Sequence, residues 1–390
     1  MKGGSVDNAH TGLILLTGED SPGALGELFH VLSPFSLTIL DIEQMVIRNR
    51  LFLTILISLN PAHGAVIESD LMEYAAVHNV DIAISFSESE GSAPLAMSSQ
   101  STLTILGDPL RPSAIARLAA ALTQCEASIR SVSRLATSPY STHQFIITGS
   151  SPEILQSTLS QIVLAEEFSL LTDELRLSRK LVVLDVDSTL IDQEVIDLLA
   201  LRAGVAEEVQ VITNAAMRGE LDFAQSLAAR VQLLKGLPVS VFAEIQAEIT
   251  LTLGAKELIS SLLRLGHVVG LVTGGFAEIV TPLANELGIT HLRANTLEIN
   301  EGYLTGKVQG LVIDRAGKAK ALAEFAALEA IPLSHTVAIG DGANDLDMLE
   351  MAGLSIAFGA KRILQESADI NIHQRDLGRV LTLLGIPRAN

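Results

Sequence analysis

Hydrophobic and polar positions divide this chain into two stretches with different periods. Up to about residue 175 short apolar runs alternate with single helical patterns. Residues 13–17 (LILLT) read as a strand and Gly18 to Gly23 as a turn. A helix follows over 24–32, strands at 37–41 and 51–58, a helix at 69–77 and a closing strand at 80–86. The order is βαββαβ, one sheet covered by two helices in the ferredoxin-like α+β manner. Shifted by 90 residues, the pattern returns: Pro22, Ala24, Leu25, Leu28 and Leu32 fall on Pro112, Ala114, Ile115, Leu118 and Leu122. Ile39 and Ile42 fall on Ile129 and Val132, and strands at 144–148 and 167–171 with a helix from Pro152 complete a second copy. Between the copies lies the Ser-rich connector SESEGSAPLAMSSQS at 87–101. A single recurrence at this spacing marks a duplicated domain, not a solenoid.

After a short polar break at 176–180 the pattern changes to α/β. The run LVVLDVDSTL at 181–190 is a buried strand of a parallel sheet ending in two acids. Residues 193–254 are helical throughout, an insertion that would lie over a strand-end site as a cap. Alternation then resumes, with strands expected at 267–273, 291–297, 336–339, 355–358 and 370–372. Helices are expected at 276–287 and 319–328 and a hairpin at 303–312. Three domains follow: 1–94, 95–178, and an α/β Rossmann-like domain at 179–390 with its cap at 193–254.

Composition narrows the function. With 390 residues, 45 Asp and Glu against 26 Lys and Arg, and a net charge of −19, the composition disfavours a nucleic-acid or anionic-membrane surface, which would need a basic face. No apolar run reaches the roughly 20 residues of a membrane span. The opening MKGGSVDNAH carries no apolar signal core, so no secretion leader is expected. One cysteine, Cys125, leaves no internal disulfide framework and suits a reducing cytoplasm; it reads as a buried structural thiol.

The chemistry gathers at strand ends. Asp185 and Asp187 flank Val186 at the mouth of a strand, where open α/β sheets place their sites. Two carboxylates this close call for a hard divalent cation, the alternative being an acidic turn that caps a helix. Thr273-Gly274-Gly275 offers a hydroxyl and backbone N–H groups before a helix, a phosphate cradle. Lys318 lies near a helix start. Gly340-Asp341-Gly342-Ala343-Asn344-Asp345 sets two carboxylates and an amide past another strand, and Asp341 can complete an oxygen-rich metal site with Asp185.

The set DxDST, TGG, Lys and GDGAND, in this order around a helical insertion, resembles the haloacid dehalogenase superfamily. Within it DVDSTLI followed by Glu194, AMRGELDF, SLAARVQLLKG and GDGANDL are similar to the phosphoserine phosphatases, with Thr273 where that family commonly has Ser. The resemblance implies Mg²⁺-dependent hydrolysis of O-phospho-L-serine, the last step of serine biosynthesis. It assigns Asp185 as nucleophile and Asp187 as general acid/base. Asp185, Asp341 and the Asp187 carbonyl would hold the metal. Thr273, Gly274 and Lys318 would hold the phosphoryl oxygens, with Asn344 nearby and Asp345 orienting Lys318. Glu194 and Arg230 would take the ammonium and carboxylate of the substrate, and Met217 and Phe223 would pack against it. The first N-terminal copy resembles an ACT domain, which implies an amino-acid effector, serine, near Gly18, Asp20 and Pro22, and assembly as a homodimer. The second copy lacks the Pro-Gly pair. Two further readings stand beside this one: a phosphatase or phosphotransferase for another small phosphate such as phosphohomoserine, and an amino-acid-responsive binding protein with an inactive phosphatase-like domain.

Overall fold

The computed structural model describes residues 9–21, 23–89, 100–107, 111–136, 141–159 and 167–386. Pro22, most of the Ser-rich connector and the 108–110 turn lie outside the described residues. The chain divides into two compact units, Met1–Met97 and Ser98–Asn390.

The first unit runs β1 (Ala9–Glu19), α1 (Ala24–Leu32), β2 (Thr38–Ile47), β3 (Arg50–Leu59), α2 (Gly64–His78) and β4 (Asp81–Ser89). It forms an antiparallel sheet of order β2-β3-β1-β4. Alternate residues of β1 and β3 point to the helices, so Ile14, Leu53, Ile55 and Ile57 meet Leu28, Leu32, Ile67 and Leu71 in one core. β2 extends six residues beyond the predicted end at Asp41, through Glu43 and Gln44. As the edge strand it pairs on one side only and is exposed along its whole length, so polar residues cost it nothing. Gly18 has a packing reason of its own: a Cβ there would lie 2.4 Å from Val80 Cγ1.

The second unit begins with the predicted repeat: β5 (Gln100–Gly107), α3 (Pro112–Gln124), β6 (Ser128–Ala136), β7 (Ser141–Thr148), α4 (Pro152–Leu159) and β8 (Glu167–Thr172), in sheet order β6-β7-β5-β8. The duplication extends to a defect. The register of the edge strand slips between Ile39 and Asp41 in the first copy and between Ile129 and Ser131 in the second. Cys125 is partly buried, its thiol directed at the Ala121 and Leu122 carbonyls at the end of α3.

A short α5 (Asp173–Leu177), absent from the sequence reading, leads into the α/β layer. There follow β9 (Leu181–Leu184), α6 (Val195–Ala203), α7 (Ala206–Met217), α8 (Phe223–Leu233), α9 (Val241–Glu248), α10 (Ala255–Arg264), β10 (Val268–Phe276) and α11 (Ala277–Glu286). Then come β11 (His291–Asn300), β12 (Tyr303–Gln309), α12 (Arg315–Leu328), β13 (Thr336–Gly340), α13 (Leu346–Met351), β14 (Leu354–Phe358), α14 (Arg362–Gln365), β15 (Ile370–Ile372) and α15 (Gly378–Leu383). The sheet order β12-β11-β10-β9-β13-β14-β15 puts β9 at the reversal of winding, and only β12 is antiparallel. All four residues of β9 are buried, as a run without alternation demands.

One expectation is corrected. Residues 303–312 are not a hairpin in themselves: β12 pairs with β11, and the turn lies at Glu301-Gly302. Thr273-Gly274-Gly275 lies just before a helix as expected, although β10 continues through it with a register slip to Phe276, the N-cap of α11. Helix α10 was also unread, since its pattern follows the cap helices without a break in composition.

The cap is the helical block α6 to α9. Its two hinge strands run together: Ile191 bridges Leu251, Asp192 N–H donates to the Thr250 carbonyl (3.0 Å), and Thr252 N–H donates to that of Leu190 (3.0 Å). Asp222 and Gln225 close the start of α8 with a reciprocal capping box. No helix among the described residues is long and apolar enough to cross a membrane.

Candidate active site

The site lies outside the carboxyl ends of β9, β10 and β13, where the winding reverses. Asp185 follows β9 directly, anchored by its N–H to the Ile339 carbonyl (2.9 Å). The chain then makes a tight loop in which Ser188 takes a left-handed conformation (φ 57°, ψ 5°), unusual for a residue with a Cβ. Every polar group of Ser188 is engaged. Its N–H donates to the Gln193 carbonyl (3.2 Å), its hydroxyl to Glu194 Oε1 (2.7 Å), and its carbonyl accepts from Arg375 Nη1 (2.8 Å).

Lys318 is in the first turn of α12, which Asp314 caps through Gly317 N–H (2.8 Å). Its side chain is fully buried, with Nζ 2.6 Å from Asp185 Oδ1 and 2.7 Å from Asp345 Oδ1. Burial works against its charge, but these two carboxylates hold it as an ammonium, above its ordinary value. The second oxygen of Asp345 accepts from Gly342 N–H (3.1 Å). Both ends of Asp345 are therefore in use, as an orienting residue requires.

Asp185, Asp341 and Asp345 each bring a carboxylate oxygen within 4.8 Å of the others. Burial, then the Asp345 charge, raises Asp185; burial, Asp345 and Glu194 push Asp341 up to about 6. Three carboxylates around one ammonium leave negative charge that a hard cation would balance, so the donor set fits a divalent metal with oxygen ligands. The carboxylate of Asp187 stands apart from this triangle. Its Oδ1 accepts from Val195 N–H (3.2 Å), and burial followed by Glu194 pushes its carboxyl up to about 7.

Thr273 is buried, and its hydroxyl oxygen accepts from Gly275 N–H (2.8 Å). That N–H is therefore used within the loop, while the threonine proton remains free to donate. A Cβ on Gly275 would lie 2.8 Å from Asp187 Oδ2, and one on Gly274 2.9 Å from Phe223 Cζ. A side chain at either place would push Asp187 or Phe223 aside, and the helical block and the sheet meet at the second.

A cavity of about 500 Å³ lies between cap and core. Asp185, Asp187, Glu194, Phe223, Arg230, Thr273, Gly274, Asp341 and Asn344 line it. Lys318 and Asp345 lie behind that wall. Met217 ends α7, but its side chain lies outside the described residues. Burial lowers Arg230 from its ordinary value, against the charges of Asp197, Glu194 and Asp187.

Three residues went unread. Lys361 is an exposed lysine lining the cavity, its N–H on the Asp341 carbonyl (3.3 Å). Asn295, on β11, donates to the Gly274 carbonyl and accepts from Ile313 N–H, both at 2.8 Å. Arg375 holds the Ser188 loop. A lone amide within a strand pattern was the one available signal for Asn295, and nothing in sequence marks Arg375.

This arrangement of strand-end acids, buried lysine and helical cap is that of a known class. Residues 182–350 match the model of the haloacid dehalogenase-like hydrolases, and residues 10–85 match that of the ACT domain. The chain is 43% identical over its whole length to a phosphoserine phosphatase of Streptomyces coelicolor, covering 95% of that protein. It is 42% identical over 97% of its length to one of Mycobacterium tuberculosis, covering 93% of it. A solved structure described as a phospho-aspartyl intermediate analogue of phosphoserine phosphatase is 47% identical over 54% of this chain and all of its own, with a TM-score of 0.51. The chain belongs to the haloacid dehalogenase-like hydrolases and, within them, to the phosphoserine phosphatase family of phosphoric monoester hydrolases, and it carries an N-terminal ACT domain.

Proposed function

We propose that this enzyme hydrolyses O-phospho-L-serine to L-serine and phosphate with Mg²⁺, through an aspartyl phosphate on Asp185. The observation that carries the reading is the Asp185 carboxylate, held 2.6 Å from a buried Lys318 at the floor of a cavity faced by Arg230 and Glu194. Asp185 attacks phosphorus in line while the bond to the serine oxygen breaks. Asp187 gives that oxygen its proton, then takes one from the water that attacks the acyl phosphate and releases phosphate. A carboxyl raised to about 7 suits both duties near neutral pH. Asp185, Asp341 and the Asp187 carbonyl would hold Mg²⁺, which when bound offsets charge between carboxylate and phosphate. Lys318, the Thr273 hydroxyl and Gly274 hold the phosphoryl oxygens, with Asn344 beside them. Arg230 takes the substrate carboxylate and Glu194 its ammonium, with Phe223 and Met217 packed against it.

The same reading makes the repeat at 95–178 a second ACT-like domain, supported by its shared strand order and register slip, between a first domain at 1–94 and the phosphatase domain at 179–390. Serine, the product, is the proposed effector near Gly18, Asp20 and Pro22, and the setting is the cytoplasmic last step of serine biosynthesis. A homodimer would cover the apolar edge strand β2, where Leu40 is 52% and Met45 50% exposed.

The test is a panel of phosphomonoesters assayed with Mg²⁺ on the wild type and on Asp185→Asn. Preference for O-phospho-L-serine and loss of turnover in the variant are expected. No preference would remove the substrate assignment, and appreciable turnover in the variant would remove the nucleophile.

A further inference from the structure

Arg375 lies on the loop between β15 and α15, far along the chain from the DxDST loop, yet it makes the one side-chain bond to the Ser188 carbonyl seen among the described residues (2.8 Å). Its other terminal nitrogen lies 3.4 Å from Asp192 Oδ1, at the first hinge strand of the cap. The guanidinium stands over the Phe358 ring, 5.6 Å from its centroid, and alongside Gly359. Asp192 also accepts from the Thr252 hydroxyl (3.4 Å) on the returning hinge strand. The following residues fix the loop itself: Leu377 N–H donates to the Leu253 carbonyl (2.8 Å). One guanidinium therefore joins the left-handed residue of the catalytic loop to the hinge.

A left-handed conformation is disfavoured for a residue with a Cβ and persists at Ser188 only because its surroundings over-determine it. The loop N–H and hydroxyl bonds reach residues within the same segment and would move with it. Of the three bonds made by Ser188, only that of its carbonyl reaches an element distant in sequence; the loop is otherwise held on either side of it, by Asp185 N–H on the Ile339 carbonyl and by the Thr189 hydroxyl, 3.5 Å from Asp341 Oδ1. Ser188 directly follows Asp187, so rotation of that peptide would shift the Asp187 carboxylate from its seat against Gly275.

We propose that Arg375 is a positioning residue for the reaction, clamping the Ser188 carbonyl so that Asp187 stays aimed at the leaving and attacking oxygens. This rests on the phosphatase reading above. Arg375 is not among the residues that line the cavity, so its removal is expected to act on the chemical step and not on affinity.

The experiment compares wild type, Arg375→Gln and Arg375→Lys with Mg²⁺, on O-phospho-L-serine and p-nitrophenyl phosphate. Alongside, hydrogen exchange is followed over residues 186–192. Arg375→Gln is expected to lower kcat at least about tenfold on both esters, the scale of a small misplacement of a reacting group. KM and the melting temperature should stay close to wild type, exchange should quicken in 186–192 alone, and Lys should restore part of kcat. Unchanged kcat with unchanged exchange overturns the proposal. So does a loss of kcat that comes with a large fall in melting temperature or with exchange quickened across the whole sheet, because that is a structural defect. An inactive wild type overturns the phosphatase reading, and the proposal falls with it; slow exchange at 186–192 in Arg375→Gln overturns the clamp alone.

Discussion

Asn295 uses both ends of its amide on the main chain, and so joins the Gly274 turn to the segment that leads into the Lys318 helix. Two parts of the phosphate end of the site are thereby set against each other by one side chain. Asn295→Ala leaves a partly buried carbonyl and a partly buried N–H without this partner, each at up to about 1 kcal/mol. It should lower kcat/KM by about tenfold or more through loosening of Gly274 and Lys318, with a lower melting temperature. Steady-state kinetics and a thermal melt check this, and unchanged kinetics would reduce Asn295 to a packing role. The contrast with Asp185 explains what sequence can show at this scale. Asp185, Asp187, Lys318 and Asp341, the groups proposed to serve the reaction, were legible because such groups need particular chemistry in a particular order. Asn295 and Arg375 do their work through backbone atoms, and a backbone carbonyl leaves no mark on the sequence that could announce its partner.

The elements most readily foreseen were the buried ones, β9, β13 and β14, whose apolar runs leave no other solution. Edge strand β2 and hairpin strand β12 were misjudged because their polarity is set by which neighbour they pair with, a fact of topology. The join between α10 and β10 shows a further property invisible to pattern. His267 precedes β10 and accepts the Lys180 N–H on its Nδ1 (3.1 Å), beside the first residue of β9. Burial, and then the charges of Lys180 and Arg179, depress the imidazole to about 4. Its folded value lies below the usual 6.5, so its contribution to stability is complete above pH 6.5 and is lost as pH falls toward 4. For a half-buried ring this loss is on the order of 2 kcal/mol. His267→Asn keeps an acceptor without a titrating ring. The melting temperature of that variant should fall less than that of wild type between pH 7 and pH 4.5, and parallel curves would show that His267 does not set the acid limb.

At the scale of the whole molecule the two copies of the small fold have different standing. The first forms a compact unit by itself, with its own core of Ile14, Leu28, Ile55 and Leu71. The second also has a core of its own, around Leu103, Ile105, Phe145 and Ile147, but a second face of it is buried against the phosphatase layer. Leu106, Leu171 and Leu175 belong to the same buried cluster as Leu377, Leu381 and Leu384, and the Ser169 hydroxyl donates to the Leu383 carbonyl (2.6 Å). Gln156 Nε2 reaches Asp369 (3.3 Å), whose other oxygen holds Ser355 at the start of β14. Cutting the chain at 97 therefore breaks no part of that cluster, whereas cutting at 178 wets the α15 leucines at about 1.5–3 kcal/mol for each side chain fully uncovered. A chain of 98–390 should melt within a few degrees of the phosphatase transition in the full protein, and one of 179–390 clearly lower, at about 2–4 °C for each kcal/mol lost. The same pair separates the sensor from the scaffold. If the first copy binds serine, 98–390 keeps its turnover with Mg²⁺ and loses inhibition by serine. If 98–390 is inhibited as strongly as the full chain while still folded by its melt, the sensor lies in the second unit, and the first copy has no part in sensing.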